Sequence, residues 1–475
     1  MESYEHIAEE KQQLLDQSFR DSVATINARG QRNYIFPKKP KGNLYRWRTL
    51  ASIVYLVIFF TLPFIKWDGE PLFLFNILER RFIIFGQIFW PQDFFIFAIA
   101  LISFIVFIIL FTVVFGRIWC GWACPQTVFM EMVFRKIEYW LDGDTQAQRR
   151  LKEMPWNSFK IRKRAVKMTV FFLISFLIAN VFLSYIMGME SLEKMIVEGV
   201  SAHLVTFTSL LGFTSIFFFV FYWFREQACI VVCPYGRLQG VLLDKKSMVV
   251  AYDYVRGEPR TKIKRETPVA DAGDCVDCLA CVRVCPTGID IRNGTQLECV
   301  NCTACIDACD DIMLKLNRPQ KLIRIDSEEN IKHSRQSTFN WRKVAYSILL
   351  GLLLIFLTLL LVTRSDVDAT ILRTPGQIFQ TLPDGRISNL YNIKLANKTR
   401  KSVTVTLKVE NMAGEIQVIG DKDVTVAPGS YFQAPFFVKI DRNLIERRKT
   451  MLVIGVYEGN KKLEKDQTTF FGPGY

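Results

Sequence analysis

Twelve cysteines carry the chemistry this sequence can do. Eight fall in two runs. Cys275-x2-Cys278-x2-Cys281-x3-Cys285-Pro286 is followed by Cys299-x2-Cys302-x2-Cys305-x3-Cys309. Three thiols separated by two residues each let one loop wrap three corners of an iron–sulfur cubane, and the duplication supplies each missing fourth ligand from the other run. The pattern assigns Cys275, Cys278, Cys281 and Cys309 to one 4Fe–4S cluster, and Cys299, Cys302, Cys305 and Cys285 to a second. Zinc is the competing reading, but its ligands are rarely packed this closely, twice over. Asp310 stands where a proline usually follows the last cysteine. It is expected to alter the local turn and to put more negative charge beside one cluster, lowering its potential.

The other four thiols form two pairs, Cys120-x3-Cys124-Pro125 and Cys229-x3-Cys233-Pro234. This spacing puts both sulfurs of a pair on one helix face, although cysteine is also a common small hydrophobe in membrane helices. Proline suits the first turn of a helix, so Cys124 and Cys233 are expected at N-cap positions, where the helix dipole favours thiolate. Arg117 and Arg225 add positive charge nearby. Cys120, Cys124, Cys229 and Cys233 therefore suit either a soft metal such as Cu(I) or a redox-active dithiol. A haem between helices lacks ligands: of His6, His203 and His333, only His203 falls in an apolar stretch. His203 reads as a polar packing residue near the outer interface, with a quinone or metal contact as the alternative.

The elements that must hold these thiols are greasy. Uncharged runs cover 49–65, 94–116, 168–189, 199–224 and 344–363, with lengths of 17, 23, 22, 26 and 20 residues. About 20 are needed to cross a bilayer, so five transmembrane helices are expected rather than buried soluble ones. Lys and Arg number nine in 1–48, three in 66–93, eleven in 117–167, one in 190–198 and 19 in 225–343. This asymmetry places 1–48, 117–167 and 225–343 in the cytoplasm and the tail after Leu361 outside. The net charge of +14 is thus mostly a topology signal, and nucleic-acid binding is not read from it. The N-terminal 48 residues are too polar and too long for a signal peptide, so the first span should be retained.

Four spans between 49 and 224 form two hairpins, each ending in a thiol pair. Each pair leads into a proline-started stretch, "PQTVFMEMVFRKIEYWL" or "PYGRLQGVLL", expected to lie helical on the inner membrane surface. The match suggests a weak internal duplication. Residues 225–343 form a soluble insert whose two-cluster ferredoxin part runs from about 266 to 318. After the fifth span, at 344–363, the tail 365–475 alternates. In "SVTVTLKVE", Val403, Val405, Leu407 and Val409 face one way and Thr404, Thr406, Lys408 and Glu410 the other. "ISNLYNIKLA", "SYFQAPFFVKI" and "KTMLVIGVYEG" read likewise. About seven strands in this length suggest an immunoglobulin-like β-sandwich, with no cysteine to form its disulfide.

The stretches "GRIWCGWACPQTVFMEMVFRKIEYWL", "REQACIVVCPYGRLQGVLLDKKSMVVAYDYVRGEPR" and "GRISNLYNIKLANKT" resemble the cytochrome c oxidase accessory family called CcoG, FixG or RdxA. The resemblance covers nearly everything after residue 28. It implies a multi-pass protein of the bacterial inner membrane, with a cytoplasmic ferredoxin domain and a periplasmic C-terminal domain. It also implies a role in maturing a cbb-type oxidase by reducing Cu(II) to Cu(I), with two 4Fe–4S clusters as cofactors and copper as substrate. Expected partners are the lipid bilayer, copper ions, a copper transporter or oxidase assembly factors, and an electron donor the sequence does not name. Two other readings compete. One is a quinol-linked electron relay to a periplasmic reductase, for which the tail shows no haem or copper motif. The other is a non-redox scaffold, which leaves eight cluster ligands unexplained.

Overall fold

The computed structural model describes residues 10–12, 24–27, 29–77, 81–90, 93–199, 201–262, 272–333, 341–376, 378–420, 424–445 and 447–473. His6 and the expected boundary near residue 266 lie outside them. Among the described residues, five helices are long and apolar enough to cross a membrane: Asn43–Phe64, Phe94–Phe115, Ser158–Met187, Leu204–Phe224 and Trp341–Val362. The first and third start before their uncharged runs, because Arg46, Arg48 and the residues from Lys160 to Lys167 continue the helix. Charge ends an apolar stretch without ending the backbone hydrogen-bond ladder. The third stops at Gly188, whose φ of +82° is open to glycine at little cost.

The chain folds into two compact units. In the first, strand Val249–Tyr252 pairs antiparallel with Ile323–Asp326 and brackets the eight-cysteine segment. Val250, Tyr252, Ile291, Met313 and Ile323 form the core beneath it, with Cys275 and Cys281 among them. The helix Ala280–Val284 is five residues long, and Pro286 follows just beyond it. Its counterpart Ala304–Lys315 runs for twelve residues through Cys309 and Asp310. Aspartate in place of proline leaves the backbone N–H in the ladder, so the local change expected at Asp310 is a longer helix.

The stretch after the first thiol pair is helical, and one side of it packs into the helix bundle. It runs from Pro125 to Leu141, with a π-helical segment at Val128–Phe134. Phe129, Met130 and Phe134 are buried against Phe171 and Ile178 of the third span and Phe221 of the fourth. The rings of Phe134 and Phe221 stack with centroids 4.7 Å apart. Aromatic side chains this large contribute much of the buried apolar area where they pack. Behind them Glu138 meets Lys167 Nζ and Arg225 at 2.5 Å each, and Lys167 also reaches Asp142 at 2.7 Å. Burial alone would raise the Glu138 carboxyl, but Arg225, Lys167 and Arg135 hold it down to about 2.

The second unit contains the β-sandwich. One sheet orders Glu415–Val418, Tyr431–Ile440, Ile387–Asn397 and Val367–Arg373, with Gln380–Thr381 attached to Ile387–Asn397. The other orders Val424–Val426, Val403–Val409, Lys449–Glu458 and Lys461–Phe471. The described residues thus give nine strands rather than seven, the extra ones being short edge pieces. Val403 and Val405 are buried and Thr404 and Lys408 exposed, as the alternation requires. Tyr391, Phe436, Leu452 and Phe470 fill the space between the sheets. A small sheet of Phe73–Asn76, Arg81–Ile84 and Gln87–Phe89, from the loop after the first span, joins this unit. Its Leu74, Ile83 and Ile88 pack with Ala396 of the sandwich, and Asp93 bonds Arg364 at 2.5 Å and Lys398 at 2.6 Å.

Candidate functional site

The two cysteine runs build two cavities. One is walled by Cys275, Cys278, Cys281 and Cys309, together with Tyr252 and Leu279. The other is walled by Cys285, Cys299, Cys302 and Cys305, with Cys281 at its margin. Each wall contains one complete crossed ligand set. The loops match residue for residue. Asp277 and Leu279 flank Cys278 with φ of +49° and +57°, and Asn301 and Thr303 flank Cys302 with +51° and +64°. Such left-handed residues are uncommon outside glycine, and here they turn three successive thiols toward one centre. Burial pushes Cys299 and Cys309 up to about 12 and raises Cys302 and Cys305 as well. Eight soft thiols, three of them buried and five partly so, fit a polynuclear iron centre that would hold them as thiolates. Beside Cys309, Asp310 adds to the negative surroundings, after burial and Cys275.

The membrane-edge pairs share a second geometry. Cys124 (φ −62°, ψ 126°) and Cys233 (φ −64°, ψ 110°) are both N-cap residues with proline at the first helical position. The helix after Cys124 continues into the π segment, whereas Cys229 itself sits in a π turn, Ala228–Val232. π turns recur at functional sites because they leave backbone groups re-aimed. Cys120 donates to Gln239 Oε1 at 3.1 Å, and Arg117 Nε donates to the same oxygen at 2.9 Å. Burial pushes Cys120 up to about 11 and Cys229 up to about 12, and each is raised further by neighbouring thiols of both pairs. The four sulfurs therefore share one neighbourhood. Among the described residues, no three His, Cys, Asp or Glu side chains converge closely enough to cage a single ion. Arg225 does not serve the thiols, since Glu138 takes its charge.

The two sites touch. Cys120 is buried in one cluster with Val284, Val300 and Cys302, and Cys305 packs against it. Arg48 Nε donates to the carbonyl of Gly121 at 2.7 Å, fixing this turn to the first span. The 4Fe-4S dicluster domain family matches residues 224–328, a 4Fe-4S binding domain family matches 97–144, and the family of the IG-like fold at the C-terminal of FixG matches 357–473. Protein RdxB of Cereibacter sphaeroides is 36% identical over 407 residues, covering 82% of this chain and 84% of its own. Protein RdxA of the same organism is 36% identical over 415 residues, covering 83% and 87%. Nitrogen fixation protein FixG of Rhizobium meliloti is 34% identical over 457 residues, covering 84% and 85%. The chain belongs to the FixG/RdxA family. It is a membrane-associated 4Fe–4S redox protein. A crystal structure of a FixG-related protein from Vibrio parahaemolyticus aligns with 23% of this chain and 97% of its own, at 18% identity and a TM-score of 0.20.

Within this FixG/RdxA protein, all twelve sequence-predicted cysteines are in the first unit. His203 lies apart: it precedes the fourth span and its Nε2 stands 2.6 Å from Glu198 Oε2. Gln239, Arg48 and Gly121 were not singled out by sequence. A neutral amide six residues after Cys233 carries no chemical signature of its own. Gly121 would be noticeable only as the one residue between Cys120 and Trp122 that lacks a side chain.

Proposed function

We propose that this chain is a cupric reductase of the bacterial inner membrane that supplies Cu(I) for the copper centre of a cbb-type cytochrome c oxidase. The observation that supports it best is the shared burial of Cys120 with Cys302, which puts a copper-competent thiol beside a ligand of the second cysteine set. Cys275, Cys278, Cys281 and Cys309 hold one cluster, and Cys299, Cys302, Cys305 and Cys285 the other. When bound, the clusters supply one-electron redox chemistry. Each Cu(II) gains one electron, which a donor outside the chain must provide.

Cys120, Cys124, Cys229 and Cys233 are the residues that meet copper. Their sulfurs favour Cu(I) over Cu(II), and a site that binds the reduced ion more tightly raises the couple's potential. Thiols held high by burial stay protonated until a cation displaces the proton, so copper binding releases protons here. The ferredoxin domain faces the cytoplasm and the sandwich the periplasm, where it meets a copper transporter or oxidase assembly factors. Replacing Cys124 and Cys233 by serine should abolish copper binding and copper reduction in the purified protein while leaving its iron content unchanged. Reduction at the wild-type rate in that variant would move the copper site elsewhere.

A further inference from the structure

We propose that a charged cleft beside the cysteine-bearing helices is the docking site of an acidic one-electron carrier protein, and so the point at which electrons enter the chain. This rests on the redox reading above and names the missing donor by class. The cleft, of about 1500 Å³, is lined by nine lysines and arginines against four aspartates. The aspartates are already engaged. Asp307 accepts the backbone N–H groups of Leu44 and Tyr45 at 3.2 and 2.8 Å, and Asp310 accepts that of Lys321 at 2.8 Å. Asp311 pairs with Lys315 at 2.5 Å, and Asp326 with Arg324 at 2.8 Å. Among the described residues no ion pair is formed by Lys38, Lys39, Lys41 or Lys343, which also line it. With nine cations against four carboxylates the lining carries a net positive charge, and a concave wall with an excess of one sign focuses the field.

The floor says why a redox partner belongs there. Ala280 and Val284 come from the helix that carries Cys281, and Ile306, Ala308 and Asp310 from the helix that carries Cys305 and Cys309. The cavity of Cys275, Cys278, Cys281 and Cys309 shares Ala280 with the cleft, and the same two helices supply Cys281 and Cys305 to the other cavity. The volume exceeds the roughly 300–1,000 Å³ of small-ligand pockets, so the cleft suits a protruding protein surface. A nicotinamide dinucleotide is also anionic, but it gives a hydride, two electrons at once, whereas a 4Fe–4S cluster takes one. The carrier instead loses one electron and the iron–sulfur site gains one. Electrostatic steering of such an encounter raises association rates by about 10–1,000-fold and is screened by salt.

The test uses the full-length, cluster-loaded protein in nanodiscs and flavodoxin, an acidic one-electron carrier, as the probe. Binding of oxidised flavodoxin is titrated at low and high ionic strength, and electron transfer from its reduced form is followed by bleaching of the cluster absorbance. The triple change Lys39→Glu, Lys41→Glu, Lys343→Glu should weaken binding at least about tenfold at low salt and slow transfer by a similar factor. High salt should bring wild type down toward the variant. Iron content, and reduction by the small cation methyl viologen, should not change. Unchanged or salt-insensitive flavodoxin binding would overturn the proposal. So would a variant that loses only its affinity for phosphatidylglycerol vesicles, which would make the cleft a lipid-headgroup site. If methyl viologen fails to reduce even the wild type, the redox reading itself falls.

Discussion

Gly121 sits where the first thiol pair meets the loop of the second cysteine set, and it is the sharpest place to test that contact. A Cβ added there would stand 2.5 Å from the carbonyl oxygen of Val300 and 3.0 Å from the carbonyl carbon and oxygen of Asn301. All three are backbone atoms, which cannot swing away as a side chain would. The backbone of Gly121 is not left-handed, so alanine costs nothing in φ there and the clash is the whole effect. Overpacking of this kind costs about 1–3 kcal/mol. That raises the population of a displaced loop by about 5–150-fold. Residues 299–303 carry Cys299 and Cys302, so the displaced loop belongs to the second set alone. Gly121→Ala should therefore lose iron from one cluster preferentially during anaerobic dialysis, with electron paramagnetic resonance showing the other retained. Gly351→Ala, in the fifth span with open space around it, serves as the neutral control. Equal iron retention and identical spectra in Gly121→Ala and wild type would refute the close packing between the membrane-edge turn and the cluster loop.

Cys302→Ser should deplete one cluster and leave the Cys275, Cys278, Cys281 and Cys309 set loaded, halving a wild-type content of about eight irons; loss of both clusters, or neither, would break the crossed assignment. Glu464 gives a pH dependence. Burial pushes its carboxyl up to about 7 from an ordinary 4.5, opposed by the N–H of Ala369, which it accepts at 2.6 Å, and assisted by Asp368. The folded sandwich holds this proton more tightly than the unfolded chain. The stabilisation is complete below about pH 4.5 and is lost as pH rises through about 7. Because the group is half solvated, the effect is about 1–2 kcal/mol. Glu464→Gln should raise the thermal midpoint of the sandwich transition above pH 7 and flatten its fall between pH 5 and 7; an unchanged profile would place the proton elsewhere. A reporter fused to the C-terminus should read as exported, and one inserted near Arg256 as cytoplasmic.

What sequence made legible here is what short covalent spacing determines. Three thiols two residues apart can be read as one loop around one centre without knowing the rest of the fold. Val403 to Val409 reads as a strand because a period of two survives in a half-buried sheet. The proline after Cys124 and Cys233 announced both N-caps, since its fixed φ belongs to the first helical turn. The strands Phe73–Asn76, Arg81–Ile84 and Gln87–Phe89 escaped notice because three or four residues are too few to show a period, and their partner face is on the sandwich.

The stretch from Pro125 to Leu141 shows the same limit from the other side. Its apolar residues suit an interfacial helix as well as a buried one, and the packing of Phe129, Met130 and Phe134 depends on Phe171 and Phe221, far along the chain. Once Phe134 is drawn into the bundle, Glu138 must follow it into a poorly solvated place. A lone carboxylate there would be costly, and Arg225, 87 residues away, is what keeps it ionised. That pairing also takes Arg225 away from Cys229, the thiol beside which its sequence position set it. Removing the carboxylate would leave Arg225 buried without this partner and Lys167 with Asp142 alone, so the charge at position 138 serves the bundle first. Only through the position of the helix it anchors does it serve the thiols.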